Sequence, residues 1–372
     1  MLPRWAVIRD ARRRQRRRWK RRAIAVLVVA ALAGAADLTV RDRGSGFPRK
    51  PAALTADLSS ARLGGYVLGA QGAGERLWVD TCVDMCGVAE TGLDSERFVE
   101  VDARSGAVIR RLPPVVNVEG WTVAAGSIWV AHFLSGDVAR LDPASGRVTA
   151  DVRLRLPTPV AGHDRQFLPD DVNYAKGYVW VSTARGRIAQ IDARTGELVR
   201  TLPTPSEDNS TASDRYGTWV AEELDGVGLL RRGATRLRIH AIMHAGLPLA
   251  VNRVFAGAGV VWALATPDST AASHATLVLT IDPRSGRITH HDRVASNAFG
   301  AEVNAGALYL ANFMRGRIYR VNRNGVLRMF VTPRRQAWLA AGSPGALWAA
   351  ENVGPGGRQG RLLRIRLPGG HP

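Results

Sequence analysis

Proton transfer and ligand recognition need histidine, carboxylate and hydroxyl groups gathered in one place. One set of positions in this 372-residue chain offers them at a recurrent spacing. Three residues beyond a repeated aromatic stand Thr81, His132, Thr183, Glu222, Ala265, Asn312 and Glu351. All but Ala265 are polar. His132, Glu222 and Glu351 are the candidate acid–base groups. With Thr81, Asp170, Thr183 and Asn312 they form the candidate ligand-binding set. Glu119, Asp171 and Asn252 lie in segments expected to be their neighbours. Such a set could abstract a proton, hold a metal or bind a polar ligand. The competing reading, which is favoured, makes them solvated residues at strand ends.

The remaining reactive side chains carry less. Cys82 and Cys86 are expected to form a local disulfide outside the cytoplasm. With only Asp84 beside them, a metal site lacks ligands, and no metal site is expected anywhere in the chain. His240 and His244 have the spacing of a helical metal pair, but their surroundings read as strand and loop. His290 and His291 follow a hairpin turn, and His163 lies in a loop. No nucleophile elbow, phosphate-binding loop, dinucleotide fingerprint or His-Glu-x-x-His pattern occurs.

The elements that must position the polar set are repeats. A Gly, two variable residues and an aromatic recur, with the aromatic at Trp78, Trp129, Trp180, Trp219, Trp262, Tyr309 and Trp348. A second phrase follows, an alternating run ending in Asp, then a turn closed by Gly, as in Asp142-Pro143-Ala144-Ser145-Gly146 and Asp192-Ala193-Arg194-Thr195-Gly196. Asp accepts a hydrogen bond from backbone two residues on, and Gly supplies the left-handed conformation that closes a hairpin. The turn aspartates stand one per repeat, so they cannot assemble the oxygen shell of calcium. Four short strands in about 45 residues are the pattern of a β-propeller blade. The expected fold is all-β, a seven-bladed β-propeller over residues 59–368. The last unit ends on its third strand, so a segment within 50–60, in the linker 41–58, is expected to complete it.

The chain has a formal net charge of +19. Residues 1–22 hold a dense run of arginines against one acid, Asp10, and Ala23 to Ala36 is uncharged and apolar. A basic start followed by an apolar run is an export signal or a membrane anchor. Residues 1–40 are therefore read as a basic cytoplasmic tail with a hydrophobic helix, either cleaved as a signal peptide or kept in the inner membrane. Positive charge stays inside, which puts the repeats outside the cytoplasm, membrane-anchored or secreted. That topology excludes nucleic acid as partner.

The stretches AAGSIWVAHFLSGDVARLDPASGRV and NAGALYLANFMRGRIYRVNRNGVL resemble the YVTN and streptogramin (virginiamycin B) lyase-like propellers. The resemblance spans nearly all of residues 60–368. It implies a site on the strand-end face, with His and Glu catalytic and Mg²⁺ assisting. Trp219-Val220-Ala221-Glu222 and Trp348-Ala349-Ala350-Glu351 are similar to that family's Glu-bearing phrase, whereas no His-bearing phrase matches. The propeller that binds pyrroloquinoline quinone, with its relatives in outer-membrane assembly, is a second likeness. It expects Trp four residues after the turn Gly, where this chain has Arg110, Ala150, Arg200 and His290. The leading expectation is a non-catalytic extracytoplasmic scaffold, without cofactor, for a small polar ligand or a protein. The alternative is a metal-assisted lyase or hydrolase using His132, Glu222 and Glu351. A sensor domain whose signalling part is encoded elsewhere is a third possibility.

Overall fold

The computed structural model describes most of residues 52–366. Residues 83–94, 155–168, 267–274 and 332–337 are the longest internal stretches outside that description. The segment 1–40, Cys86 and His163 also lie outside it. Among the described residues there is no helix long and apolar enough to cross a membrane.

The described strands are arranged as a propeller of radial antiparallel sheets. Seven sheets have four or five strands, and Met243–His244 with Leu247–Pro248 make a separate pair. We number the larger sheets in chain order. Sheet one holds Tyr66–Ala73, Arg76–Cys82, Ser95–Asp102 and Val108–Arg111. Sheet two holds Val118–Ala124, Ser127–His132, Asp137–Leu141 and Val148–Arg153. Sheets three to six occupy residues 169–203, 211–240, 250–295 and 298–331. Sheet seven joins Trp338–Ala341, Ala346–Val353 and Gln359–Arg366 to Ala56–Arg62, which pairs antiparallel with Gln359–Arg366. Ala52–Ala53 adds a parallel strand to the outer edge of sheet six. In sheet four, Gly226–Arg231 is the third strand and Arg238–His240 the fourth.

The repeated aromatic explains why the sheets stack in order. Side chains alternate between the two faces of a strand, and the aromatic faces the next sheet. Trp78 packs with Trp121 and Ile128 of sheet two. Trp129 packs with Val179 and Val181 of sheet three, and Trp180 with Val220 and Leu230 of sheet four. Trp219 meets Val251 and Val261 of sheet five, Trp262 meets Leu308 and Leu310 of sheet six, and Tyr309 meets Leu347 and Leu363 of sheet seven. Trp348 packs on Leu77 and Val79 of sheet one, and its Nε1–H donates to the Ala103 carbonyl at 2.9 Å.

The turns form as their chemistry dictates. The Oδ1 atoms of Asp102, Asp142, Asp192 and Asp282 accept from the amides two residues on, at 2.8–3.1 Å. Those bonds, with the neighbouring Ser105, Ser145, Thr195 and Ser285 strongest, hold the four carboxyls below the usual range. Each outer strand then reaches the turn of the following sheet. Arg110 donates to the Ala144 carbonyl at 3.1 Å and Arg200 to that of Ala234 at 2.5 Å. His240 and His290 instead press against Gly286 and Gly325. Three of the four positions without a docking Trp, Arg110, Arg200 and His290, thus still dock, with cations or an imidazole.

This packing makes Gly286 a sensitive position. Its φ is +72°, and a Cβ there would come within 2.5–3.0 Å of the His240 ring. Gly286→Ala is expected to cost roughly 1–3 kcal/mol by denaturant unfolding. Gly126→Ala, at φ +70° with nothing within 4 Å, will show the backbone strain alone and cost less.

Candidate functional site

The residue three beyond the aromatic lies at or near the end of its second strand and, in six sheets, pairs in register with a residue at or near the start of the third. The pairs are Thr81 with Arg97, His132 with Asp137, Thr183 with Arg187, Glu222 with Gly226, Asn312 with Arg317 and Glu351 with Arg361. The alternation that points each aromatic at the next sheet points these side chains at the preceding one. Those whose side chains are described therefore enter different inter-sheet interfaces, and they do not converge on one open mouth.

Most of them are engaged within the fold. The Thr81 hydroxyl donates to the Arg97 carbonyl at 3.0 Å and that of Thr183 to the Arg187 carbonyl at 3.3 Å; both residues are fully buried. Glu351 is buried and ion-paired with Arg361. Glu222 is fully buried, with its Oε1 3.5 Å from where a Cβ at Gly228 would stand. Ala265 is also buried. Asn312 and Asp170 are placed in strands, but their side chains lie outside the described residues. Asp171 accepts from the Asn173 side chain at 3.0 Å. Glu119 is half-buried and Asn252 exposed. Cys82 is disulfide-bonded. Glu351→Ala would strand the Arg361 charge, and we expect a loss of about 3 kcal/mol in denaturant unfolding. Restoration of stability in the double variant with Arg361→Leu would identify the stranded charge as the cause.

His132 differs because other acids surround it. Its face of sheet two packs on sheet one: Ile128, Val130, Ala139 and Leu141 meet Trp78 and Phe98. His132 and Asp137 continue that face to the strand ends, and Asp151 lies on it opposite Ala139 in register. From sheet one, Asp80 pairs in register with Phe98 and Glu96 with Cys82, so both acids face the same interface. Five titratable residues from two sheets thus face one inter-sheet interface.

The carboxyls lie in two pairs. Asp80 hydrogen-bonds Glu96 and Trp121, and burial pushes its carboxyl up to about 7. Asp151 is also raised, first by desolvation and then by its hydrogen bond and charge contact with Asp137, while His132 and Arg153 oppose the rise. Two like charges in contact favour retention of a shared proton. Among the described residues no three His, Cys, Asp or Glu are grouped to hold a metal ion. The arrangement can exchange protons and attract cations. Sequence reasoning found His132 and missed the four acids around it. A signal existed for one: two residues beyond the aromatic, Asp80 stands where the other repeats have Ala131, Ser182, Ala221, Leu264, Ala311 and Ala350.

Radial four-stranded antiparallel sheets, joined face to face by a repeated aromatic, define a β-propeller. Comparison with solved structures agrees on that class. BamB from Moraxella catarrhalis is similar at a TM-score of 0.52 and 14% identity, over 90% of this chain and 97% of that one. A catalytically inactive virginiamycin B lyase from Staphylococcus aureus with quinupristin gives 0.59 and 12%, over 84% and 99%. The WD40 domain of Toxoplasma gondii coronin gives 0.58 and 10%, over 87% and 88%. No family model and no curated protein sequence matches the chain. Likeness at this identity establishes the fold.

Proposed function

We propose that this chain is an extracytoplasmic, non-catalytic β-propeller that binds a small polar ligand or a protein. Residues 59–368 form a seven-bladed ring, and residues 1–40 export or anchor it. The ring is supported by the order in which the first strands of the sheets neighbour one another, sheet seven returning to sheet one, and by the Trp348–Ala103 hydrogen bond. The apolar run after the arginine-rich start supports export.

The non-catalytic reading rests on one observation. The strand-end groups a lyase would need at one point are separated into different interfaces, with Glu351 held by Arg361 and Glu222 fully buried. General acid–base chemistry needs direct or one-water contact with the substrate. The likeness to a virginiamycin B lyase supplies the decisive substrate. The full chain incubated with quinupristin and Mg²⁺ should leave it intact by mass spectrometry. Accumulation of a ring-opened product that disappears in Glu222→Gln or Glu351→Gln would establish the lyase reading instead. Alkaline phosphatase fused after residue 372 should be active in cells, and an inactive fusion would reverse the topology.

A further inference from the structure

We propose that the cleft between sheets one and two, walled by Asp80 and Glu96 on one side and by His132, Asp137 and Asp151 on the other, binds an organic cation bearing ammonium groups. This inference rests on the binding reading above and assigns that reading a place and a ligand chemistry.

The rim comes first. Asp137 and Asp151 touch through their carboxyls, Asp137 is half-buried and Asp151 exposed, so this end of the interface reaches solvent. His132 stands opposite Asp137 in register, and its Nε2 is buried without a hydrogen-bond partner. A neutral imidazole nitrogen can accept from a ligand N–H.

The second observation is independent of the rim. Asp80, on the other wall, is 3% exposed, yet its Oδ1 has no hydrogen-bond partner. A buried carboxylate oxygen left unsatisfied is costly, and buried polar groups are nearly always partnered. An ammonium group supplies three N–H donors and the opposite charge. It can release the proton that each acid pair would otherwise retain, because it takes over the task of separating the two negative charges.

The ligand class follows from geometry. Metal binding is disfavoured because no three ligating side chains are grouped among the described residues. Ammonium groups need only one acceptor for each N–H, so they suit acid pairs set on facing walls. A ligand with more than one such group can use both walls. Acid pairs of this kind stand out in a chain whose formal net charge is +19. Arg153, opposite Asp137 in register, is the cation that a ligand would displace from the rim.

Spermidine is the test compound, titrated calorimetrically into the full chain at low ionic strength. We expect one saturable site. Asp137→Asn should weaken it about tenfold or more, as expected for a lost charge-assisted contact. Asp80→Asn should do the same from the opposite wall, and Thr289→Val on the outer strand of sheet five should bind as the parent does. Near-ultraviolet circular dichroism checks each fold, and if Asp80→Asn fails to fold, the rim variant Asp137→Asn decides alone. Absence of saturable heat at millimolar spermidine overturns the proposal. So does binding in both Asp80→Asn and Asp137→Asn as tight as in the parent, which would indicate association elsewhere on the surface. Tight binding of Ca²⁺ alone, lost in the same variants and displacing spermidine, would replace it with a metal site. Cleavage of quinupristin would sink the non-catalytic reading and leave the cation site standing, whereas failed spermidine binding would do the reverse.

Discussion

Asp80→Asn will make this protein more stable at pH 8 and remove the loss of stability that the parent shows as pH rises from about 4 to 7. The reason is linkage. The Asp80 carboxyl is raised from 3.8 to about 7 in the folded chain, chiefly by burial. Between those values the folded state holds a proton that the unfolded state has released. Stability therefore falls as pH rises across that window and levels off above it. A shift of this size corresponds to roughly 4 kcal/mol at most, concentrated in one group. Asparagine keeps the shape, stays neutral at every pH, and can still donate to Glu96 and accept from Trp121. Urea unfolding at pH 4, 6 and 8 measures the effect. Parent and variant should be close at pH 4 and differ most at pH 8. Parallel curves would mean that Asp80 is ionised throughout and that the cleft is wetter than its burial indicates.

Trp348→Ala will have the largest effect of any core substitution at a single inter-sheet junction. Trp348 is buried at 1% exposure, packs on Leu77 and Val79, and donates to the Ala103 carbonyl 245 residues away. Truncating a buried Trp costs about 3–5 kcal/mol through lost transfer energy and the cavity left behind. Here the junction also joins the two ends of the repeat array. Hydrogen exchange should show amides of residues 346–353 and 77–82 losing protection together, before sheet three does. Trp348→Phe keeps much of the contact but leaves the Ala103 carbonyl without its donor, at a cost of about 1–3 kcal/mol. Loss of protection confined to sheet seven would show that the two ends are held together by something other than this indole. The Ala56–Arg62 strand, paired to Gln359–Arg366, would then be the principal fastening.

Histidines set a smaller, opposite pH effect. Burial, then Arg238 and Arg231, hold His240 below its usual value. The unfolded state takes up that proton first as pH falls, so this junction loses stability below about 6.5. The Asp80 and His240 effects oppose each other between pH 4 and 6.5. Asp80→Asn should consequently expose the histidine slope.

Particular residues show how far the sequence could be read. The aromatic at Trp78, Trp129, Trp180, Trp219, Trp262, Tyr309 and Trp348 carried the propeller class, because a large side chain at one fixed strand position implies one packing partner per repeat. The Asp-to-Gly turns were equally legible, since their hydrogen bonds are local and depend on residues three or four apart. The polar ring was legible as a ring of positions. Its spread over separate interfaces was not legible, because projecting it toward a common mouth ignored the alternation that turns Thr81 and Glu351 toward different sheets. Arg110 and His290 looked like missing docking tryptophans, and only the next sheet's turn gave them a partner.

Residue types and their spacing alone settled that short strands, tight turns and one repeated indole build this molecule, since those preferences act between near neighbours in the chain. Which acids meet was decided only in three dimensions. Asp80 and Glu96 come from different strands of one sheet, and His132, Asp137 and Asp151 from another. No local rule links them; the stacking of the first two sheets does, by burying their charge in a shared, partly dry cleft where proximity and desolvation change what each group can do.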